Sequence, residues 1–370
     1  MNTQPNPVVS VIVPARNEEA CIASCLESLV AQRGIDFEVI VVDDNSTDRT
    51  GEIAKSFAGT SHVGGAVEAL PPLVVISAPP LPGGWTGKNN AMSAGAKIAK
   101  GKWLLFTDAD TVHKPGSLAR AAAEAEQHGA ALLSYSPEQE VRGLWEKAVM
   151  PVIFAELAAT YPPKKVNDPA SPIAAANGQY LLISREAYDA VGGHTKIASD
   201  LLEDVAMARL VKSSGRKIFF RYGGDAVRTR MYRSWAQMKE GWTKNLQLLF
   251  PRPRALAIVR GAEFVLICGN LVAGILALLM KRFEVTSTTF LLAFVVAARV
   301  WTRIRRAHFA VGSNLLALGG LAIFTYLLLR SAGMHRTGDV SWKGRSYGRA
   351  GTRTMTHEVS HASSARSDIG

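Results

Sequence analysis

In "WLLFTDADT" (103–111), four residues suited to a buried strand, Trp103 to Phe106, run into Thr107, Asp108, Ala109 and Asp110. Side chains two apart on an extended segment point the same way, so Asp108 and Asp110 repel each other unless a cation joins them. A divalent metal bound to a diphosphate would do so. Mg²⁺ or Mn²⁺ takes one or two protein carboxylates and keeps positions open for phosphate oxygens and water. A lone D-x-D is also a common solvated turn, so its surroundings must decide. His113 follows as a further ligand or as a turn histidine, and His194 is expected to be a loop residue.

From Val8 to about Pro137, the β-rich runs "VVSVIVP", "FEVIVVDD", "LVVISA", "KWLLFTDAD" and "ALLSYS" alternate with stretches of helical spacing. That pattern predicts an α/β sheet with crossover helices. Ligands of such sheets bind beyond the carboxyl ends of the strands, where "PARNEE", "DDNSTD" and "DADT" fall. After Ser136 comes "GLWEKAVMPVIFAELAATYPP", a core helix or else an interfacial or groove-lining one, followed by a loop and further strand and helix signals. Arg221, Arg228 and Arg230 could meet phosphate or headgroups, or simply alternate along a half-solvated strand. Trp235 and Trp242, seven apart, predict a juxtamembrane helix with both rings on one face.

Three apolar stretches follow, near 264–280, 285–301 and 309–329; the first two are close to the short limit for a bilayer. Three crossings would put the basic tail on the far side from the front end, against the charge distribution, so one segment is expected to be re-entrant or interfacial. The first, preceded by Arg260 and containing Glu263, is the candidate. The resulting division is an arm (1–7), a catalytic domain (8–232), a juxtamembrane helix (233–255), a membrane region of two to three helices (256–330) and a basic cytosolic tail (331–370) with a disordered end. The net charge of +11 is concentrated beside the apolar segments and in the tail, which favours anionic headgroups and excludes nucleic acid as the expected partner. The three cysteines have no zinc spacing. "MNTQPNPVVSVIVP" shows no cleavable signal, so the front is expected in the cytosol, at the inner membrane.

The ordered set "VSVIVPARNEE", "VIVVDDNSTDRT", "GKNNAMSAGAKIAKGKWLLFTDADT", "ANGQYLLISREAYDAVGG", "LLEDVAMARLVKSSG" and "RMYRSW" resembles the family 2 glycosyltransferases over roughly residues 8–250. The segment "PLPGGWTGKNNAM", the trailing apolar helices and "VSWKGRSYG" resemble the branch with hopanoid-associated and carotenoid glycosyltransferases. The resemblance implies a GT-A fold, a Rossmann-like mixed sheet followed by transmembrane helices. It also implies a nucleotide-sugar donor, most often a UDP-sugar, a divalent metal (Mg or Mn), and a lipid or lipid-linked acceptor. Pro14, Arg16, Glu18, Asp44, Lys88 and Asp108 would hold the donor and Asp110 the metal. Asp204 would be the catalytic base, with Glu203 beside it; Asn177, Gly178, Arg233 and Trp235 would lie on the acceptor or phosphate side.

One base and no enzymic nucleophile imply a single displacement with inversion. Only the end of the Q-x-x-R-W pattern of processive synthases is matched, since Met231 and Tyr232 precede Arg233. A processive synthase is therefore the nearer alternative, and a non-catalytic nucleotide-sugar-binding membrane scaffold the more distant one. A nucleotidyltransferase would want a glycine-rich loop where "PARNEE" stands.

Overall fold

The computed structural model describes residues 6–58 and 71–347. The expected disorder of the final residues, and most of the N-terminal arm, lie outside the described residues. Along the chain come β1 (Val9–Ala15), α1 (Ile22–Val30), β2 (Phe37–Asp43), α2 (Thr50–Ser56), β3 (Leu73–Ser77), α3 (Gly87–Ile98), β4 (Trp103–Phe106), β5 (Thr111–His113), α4 (Ser117–His128) and β6 (Leu132–Ser136). Then follow β7 (Glu138–Gln139), α5 (Leu144–Thr160), α6 (Pro163–Val166), β8 (Leu181–Ser184), α7 (Arg185–Ala190), α8 (Gly193–Lys196), α9 (Glu203–Ser213), β9 (Ile218–Tyr222) and β10 (Val227–Thr229). The last third holds α10 (Trp235–Leu249), α11 (Pro253–Leu279), α12 (Phe283–Ile304), α13 (Val311–Thr337) and the strands β11 (Val340–Trp342) and β12 (Arg345–Tyr347).

The main sheet has the order β3-β2-β1-β4-β8-β6-β9. Both faces are buried at the inner strands β1, β2, β4, β6 and β8, which explains why these read as apolar runs without polar alternation. Val9, Val11 and Val13 of β1 point into the core under α1 and α4, whereas Ile12 faces the core under α3 and α9. β8 alone runs against both of its neighbours in this sheet. It is entered from the loop that crosses the carboxyl edge, so Asn177 and Gly178 arrive at that rim directly. β5, β10 and β7 form a small second sheet beside it.

A third core joins α5 and α10 to α13 through Val149, Ile153, Trp242, Leu246, Leu321 and Phe324. The segment 144–160 is therefore a core helix that also lines a cavity with Phe154 and Leu157, and Trp242 is buried against Phe154 and Tyr232, not set out as an interfacial anchor. The shared face predicted for the two tryptophans is the face that α5 and α13 cover; only Trp235, in the first turn, reaches solvent. Gly320 lets α13 touch α5, since a Cβ there would lie 1.9 Å from the carbonyl oxygen of Ala148. Ser331 Oγ donates to the carbonyl of Thr243 at 2.6 Å, tying α13 to α10.

α11, α12 and α13 are each long and apolar enough to cross a bilayer. α11 is one unbroken helix of 27 residues, not a re-entrant hairpin. Its Arg260 and Glu263 lie at the protein end of the α11–α12 pair, where Arg260 meets Glu156 of α5 at 2.9 Å and Glu263 meets Arg303 of α12 at 2.7 Å. The helix that turns inward is α13: 44% of its apolar stretch is buried, against 17% for the other two. α11 and α12 present Leu266, Val272, Leu276, Leu291 and Phe294 outward with nothing covering them, a surface that water would not tolerate cheaply.

Candidate active site

The rims of β1, β2 and β4 and the first turn of α3 border one cavity of about 610 Å³. Thr86 caps α3, its Oγ1 accepting from the Asn89 N–H at 3.2 Å. Lys88 follows two residues later and joins Asp108 Oδ1 and Glu203 Oε1, each at 2.6 Å. Burial works against the Lys88 charge, yet the two carboxylates raise its pKa well above the usual lysine value. Arg16 donates to the carbonyls of Asp44 and Asn45 at 2.7 and 3.2 Å, binding the turn after β1 to the turn after β2. Pro14, Glu18 and Asp44 line the same wall.

Asp110 sits in a turn after β4, not on an extended strand, but it still faces the cavity with Asp108. Its Oδ1 is buried and accepts no hydrogen bond among the described residues. Burial, then the charges of Asp108 and Glu18, push its pKa well above the carboxylate range. A hard divalent cation fits here, because it would answer an orphaned oxygen and lower that pKa. No third His, Cys, Asp or Glu completes a cluster among the described residues, as suits an ion that takes its remaining ligands from phosphate and water. His113 is not one of them: it is buried, its Nε2 lies 3.1 Å from Thr107 Oγ1, and burial lowers its pKa to about 3. His194, expected in a loop, lies in α8 and packs its ring on Phe106, with Nδ1 2.9 Å from the Tyr188 hydroxyl.

The first turn of α9 brings Glu203 and Asp204 to the same cavity, beside Lys88. Asp204 Oδ2 accepts from the Gly178 N–H and Oδ1 from its neighbour Val205 N–H, both at 2.8 Å. Burial and the adjacent Glu203 push its pKa up to about 6, the range a general base needs near neutral pH. Burial raises the pKa of Glu203 as well, but Lys88 and Lys244 outweigh it and hold the carboxyl below its ordinary range. Glu203 is thus engaged by Lys88, and Asp204 is the neighbouring carboxylate whose pKa is raised. Gly178 packs closely here, since a Cβ would lie 3.0 Å from Glu203 Oε1 and 3.2 Å from Lys88 Nζ and would press on that ion pair. Asn177 donates its backbone N–H to Ser134 Oγ at 2.8 Å and fixes that loop.

Arg233 and Trp235 do not line this cavity. Arg233 borders a second recess, behind Asp110, with Arg142, Arg228 and Arg230; Trp235 stands edge-on to Trp145 at 6.4 Å. Arg221, Arg228 and Arg230 are ion-paired with Glu124, Glu140 and Glu146, which accounts for them as structural residues. Sequence reasoning missed Lys244, the apolar wall of Phe154, Leu157 and Tyr161, the loop residues Arg306, His308 and Phe309, and the tail residues Trp342, Lys343, Arg345 and Tyr347, all of which line the cavity. "VSWKGRSYG" was a visible signal for the last group, but nothing in the sequence says where a tail folds back.

The model of the family described as Glycosyl transferase family 2 matches residues 10–192. The chain is 28% identical over 356 residues to the 4,4'-diaponeurosporenoate glycosyltransferase of Staphylococcus aureus (strain USA300), across 92% of this chain and 88% of the relative. It is 29% identical over 360 residues to the protein of the same name from strain MRSA252, with the same coverage. Among solved structures, the mannosyltransferase PcManGT from Pyrobaculum calidifontis, in complex with GDP-Man and Mn²⁺, aligns with a TM-score of 0.50 at 18% identity over 90% of this chain and 87% of that one. At that identity the likeness speaks for the fold, which is GT-A.

Proposed function

We propose that this chain, which belongs to the family 2 glycosyltransferases, moves a sugar from a nucleoside diphosphate donor to a lipid or lipid-linked acceptor, with inversion, at the cytosolic face of the inner membrane. The observation that carries the reading is the two-sided cavity. One wall holds Asp108, Asp110, Lys88 and Asp204; the other is Phe154, Leu157, Tyr161, Leu249 and Phe309, beside helices whose apolar faces are uncovered. An apolar acceptor can lie along the second wall with its hydroxyl at Asp204.

Asp204 takes the acceptor proton as the new C–O bond forms at the anomeric carbon and the bond to the diphosphate oxygen breaks. The Gly178 and Val205 amides aim its two oxygens. Lys88, held by Glu203 and Asp108, supplies positive charge near the leaving diphosphate, together with the free amides of α3. Asp110 would hold the divalent ion, Mg or Mn, which when bound neutralises growing charge on the diphosphate.

The curated relatives are named for a carotenoid-type acid, which supports a long apolar acceptor. The test is donor turnover by purified protein with UDP- and GDP-sugars, Mg²⁺ or Mn²⁺ and bacterial lipid extract. Asp110→Ala should weaken metal-dependent nucleotide binding. Asp204→Asn should bind donor and lose roughly 10²- to 10⁴-fold in kcat. A loss under about tenfold would point to an acceptor whose oxygen is already ionised, a carboxylate like the relatives' acid, which needs no base. Failure of the wild type to bind any nucleotide sugar would leave the scaffold alternative standing.

A further inference from the structure

Most cations that border the cavity are already taken. Lys88 is held by Asp108 and Glu203, Lys343 by Glu18 and Arg345 by Asp44, while Arg16 donates to two carbonyls. The exposed Arg306 at its edge and Lys244 of α10 are not. The Lys244 ammonium makes no ion pair and no hydrogen bond among the described residues; it stands over the Trp342 ring at 5.3 Å. The carboxylates nearby are engaged elsewhere, since Glu203 and Asp108 bind Lys88 and Asp204 accepts the amides of Gly178 and Val205. Burial pulls the Lys244 pKa below the ordinary lysine value, and those carboxylates restore it only in part. A desolvated ammonium without a partner is costly unless a ligand supplies one. Asn245, the next residue, also lines the cavity, and its buried side-chain oxygen accepts no hydrogen bond among the described residues. Turned over, the same amide presents an N–H at that point.

The backbone here is held from behind. Ser331 of α13 occupies a rung of α10, its Oγ donating to the Thr243 carbonyl at 2.6 Å and accepting the Gln247 N–H at 2.9 Å. His335 Nε2 meets the Lys244 carbonyl at 2.8 Å. A side chain inserted in the ladder opens a helix locally, so the position of Lys244 is set by contacts that leave its ammonium free. We propose that Lys244, with Asn245 beside it, is the subsite for the acceptor's head and selects an amphiphile whose head is an anion, a carboxylate or a phosphate ester on a long apolar chain. The inference rests on the glycosyl-transfer reading above. Lys244 shares α10 with Trp242 and Leu249, next to Phe154 and Leu157, so its charge lies where the apolar wall meets Asp204. The leaving diphosphate has Lys88 and the first turn of α3 on the other side. Where the anionic oxygen itself attacks, it bonds to the anomeric carbon as the bond to the diphosphate breaks, the electron pair leaves with the nucleoside diphosphate, and no proton is removed. Where the acid stands beside a hydroxyl, the hydroxyl proton goes to Asp204.

The test uses full-length protein in detergent near neutral pH. Binding of radiolabelled hexadecanoate, hexadecyl phosphate and hexadecanol is measured on the wild type, Lys244→Met and Lys244→Arg, alongside UDP and GDP with Mn²⁺. The wild type should bind one or both anions about tenfold or more tighter than the alcohol. Lys244→Met should lower the anions to the level of the alcohol without changing the alcohol or the nucleotides, and Lys244→Arg should recover part of the preference. Equal binding of all three probes by the wild type overturns the proposal, as does a preference that survives Lys244→Met. A Lys244→Met that weakens nucleotide and spares the probes assigns the lysine to the diphosphate and overturns it too. Lys244→Gln, which keeps a polar tip, takes the place of the methionine variant if that one does not fold. Transfer by Asp204→Asn then separates the two kinds of head, because only an attacking anion spares the base. A wild type that binds neither nucleotide sinks the glycosyl-transfer reading itself, whereas nucleotide binding without an anion preference sinks only this inference.

Discussion

Asp110 keeps a buried carboxylate oxygen that no donor among the described residues answers, and that choice costs stability. Its pKa is raised in the folded protein, so its contribution to stability is fully present below the unfolded value near 4 and is lost as pH rises through the folded value. Asp110→Asn should therefore melt higher than wild type at pH 7 to 8, with an advantage that vanishes below about pH 4. Added Mn²⁺ or Mg²⁺ should raise the wild-type melting temperature and leave the variant unmoved; thermal scans across pH, with and without metal, read both effects. Asp204 makes a kinetic prediction instead. With its pKa pushed up to about 6, kcat/KM for a hydroxyl acceptor should fall tenfold per unit below about pH 6 and be flat above it. A flat profile across that range would remove Asp204 from the role of base.

At the scale of elements, the catalytic domain and the apolar helices meet in one core, and at Gly320 α13 lies directly against the backbone of α5. The atom that a Cβ would strike is a backbone oxygen, which cannot swing aside as a side chain could. Gly320→Val should cost roughly 1–3 kcal/mol or more by forcing the helices apart. Because α5 supplies the apolar wall, acceptor transfer should fall further than donor hydrolysis in this variant. Equal losses in the two assays would argue that α5 does not carry the acceptor.

Across the whole molecule, the ends of α13 answer the conflict between three apolar segments and a basic tail. Phe309 just before it and Trp342 and Lys343 just after it line the same cavity, so α13 cannot carry the tail away from the catalytic domain. We expect two crossings, α11 and α12, with the turn at Lys281 and Arg282 on the far side and the β11–β12 hairpin on the catalytic side. Single cysteines at Lys281 and Ser341, in a background lacking Cys21, Cys25 and Cys268, can be tested on intact cells with an impermeant thiol reagent. Labelling at 281 and not at 341 is the expected result; labelling at 341 would mean three crossings, and at neither a hairpin that dips without crossing.

The periodic runs of the first half, the capped start of α3 and the acidic strand ends were legible because each depends on neighbours within a few residues. Those local patterns pointed to the sheet and to the rim where Asp108 and Asp110 stand, whereas Asp204 came only from the family resemblance. Others depended on distant parts of the chain. Trp242 reads as a membrane anchor until α5 and α13 cover it, His194 as a loop residue until Tyr188 and Phe106 enclose it. Arg233 matches a motif, yet its helix faces another recess. The union of Arg345 with Asp44 lay beyond any local signal, since a tail of two short strands has no periodicity that records its partner. Strand periodicity and turn chemistry are short-range, so the acidic strand ends could be read along the chain; which apolar helices stay uncovered and which cations reach Asp44 and Glu18 was left to tertiary packing, because both follow from burial between segments far apart in the chain.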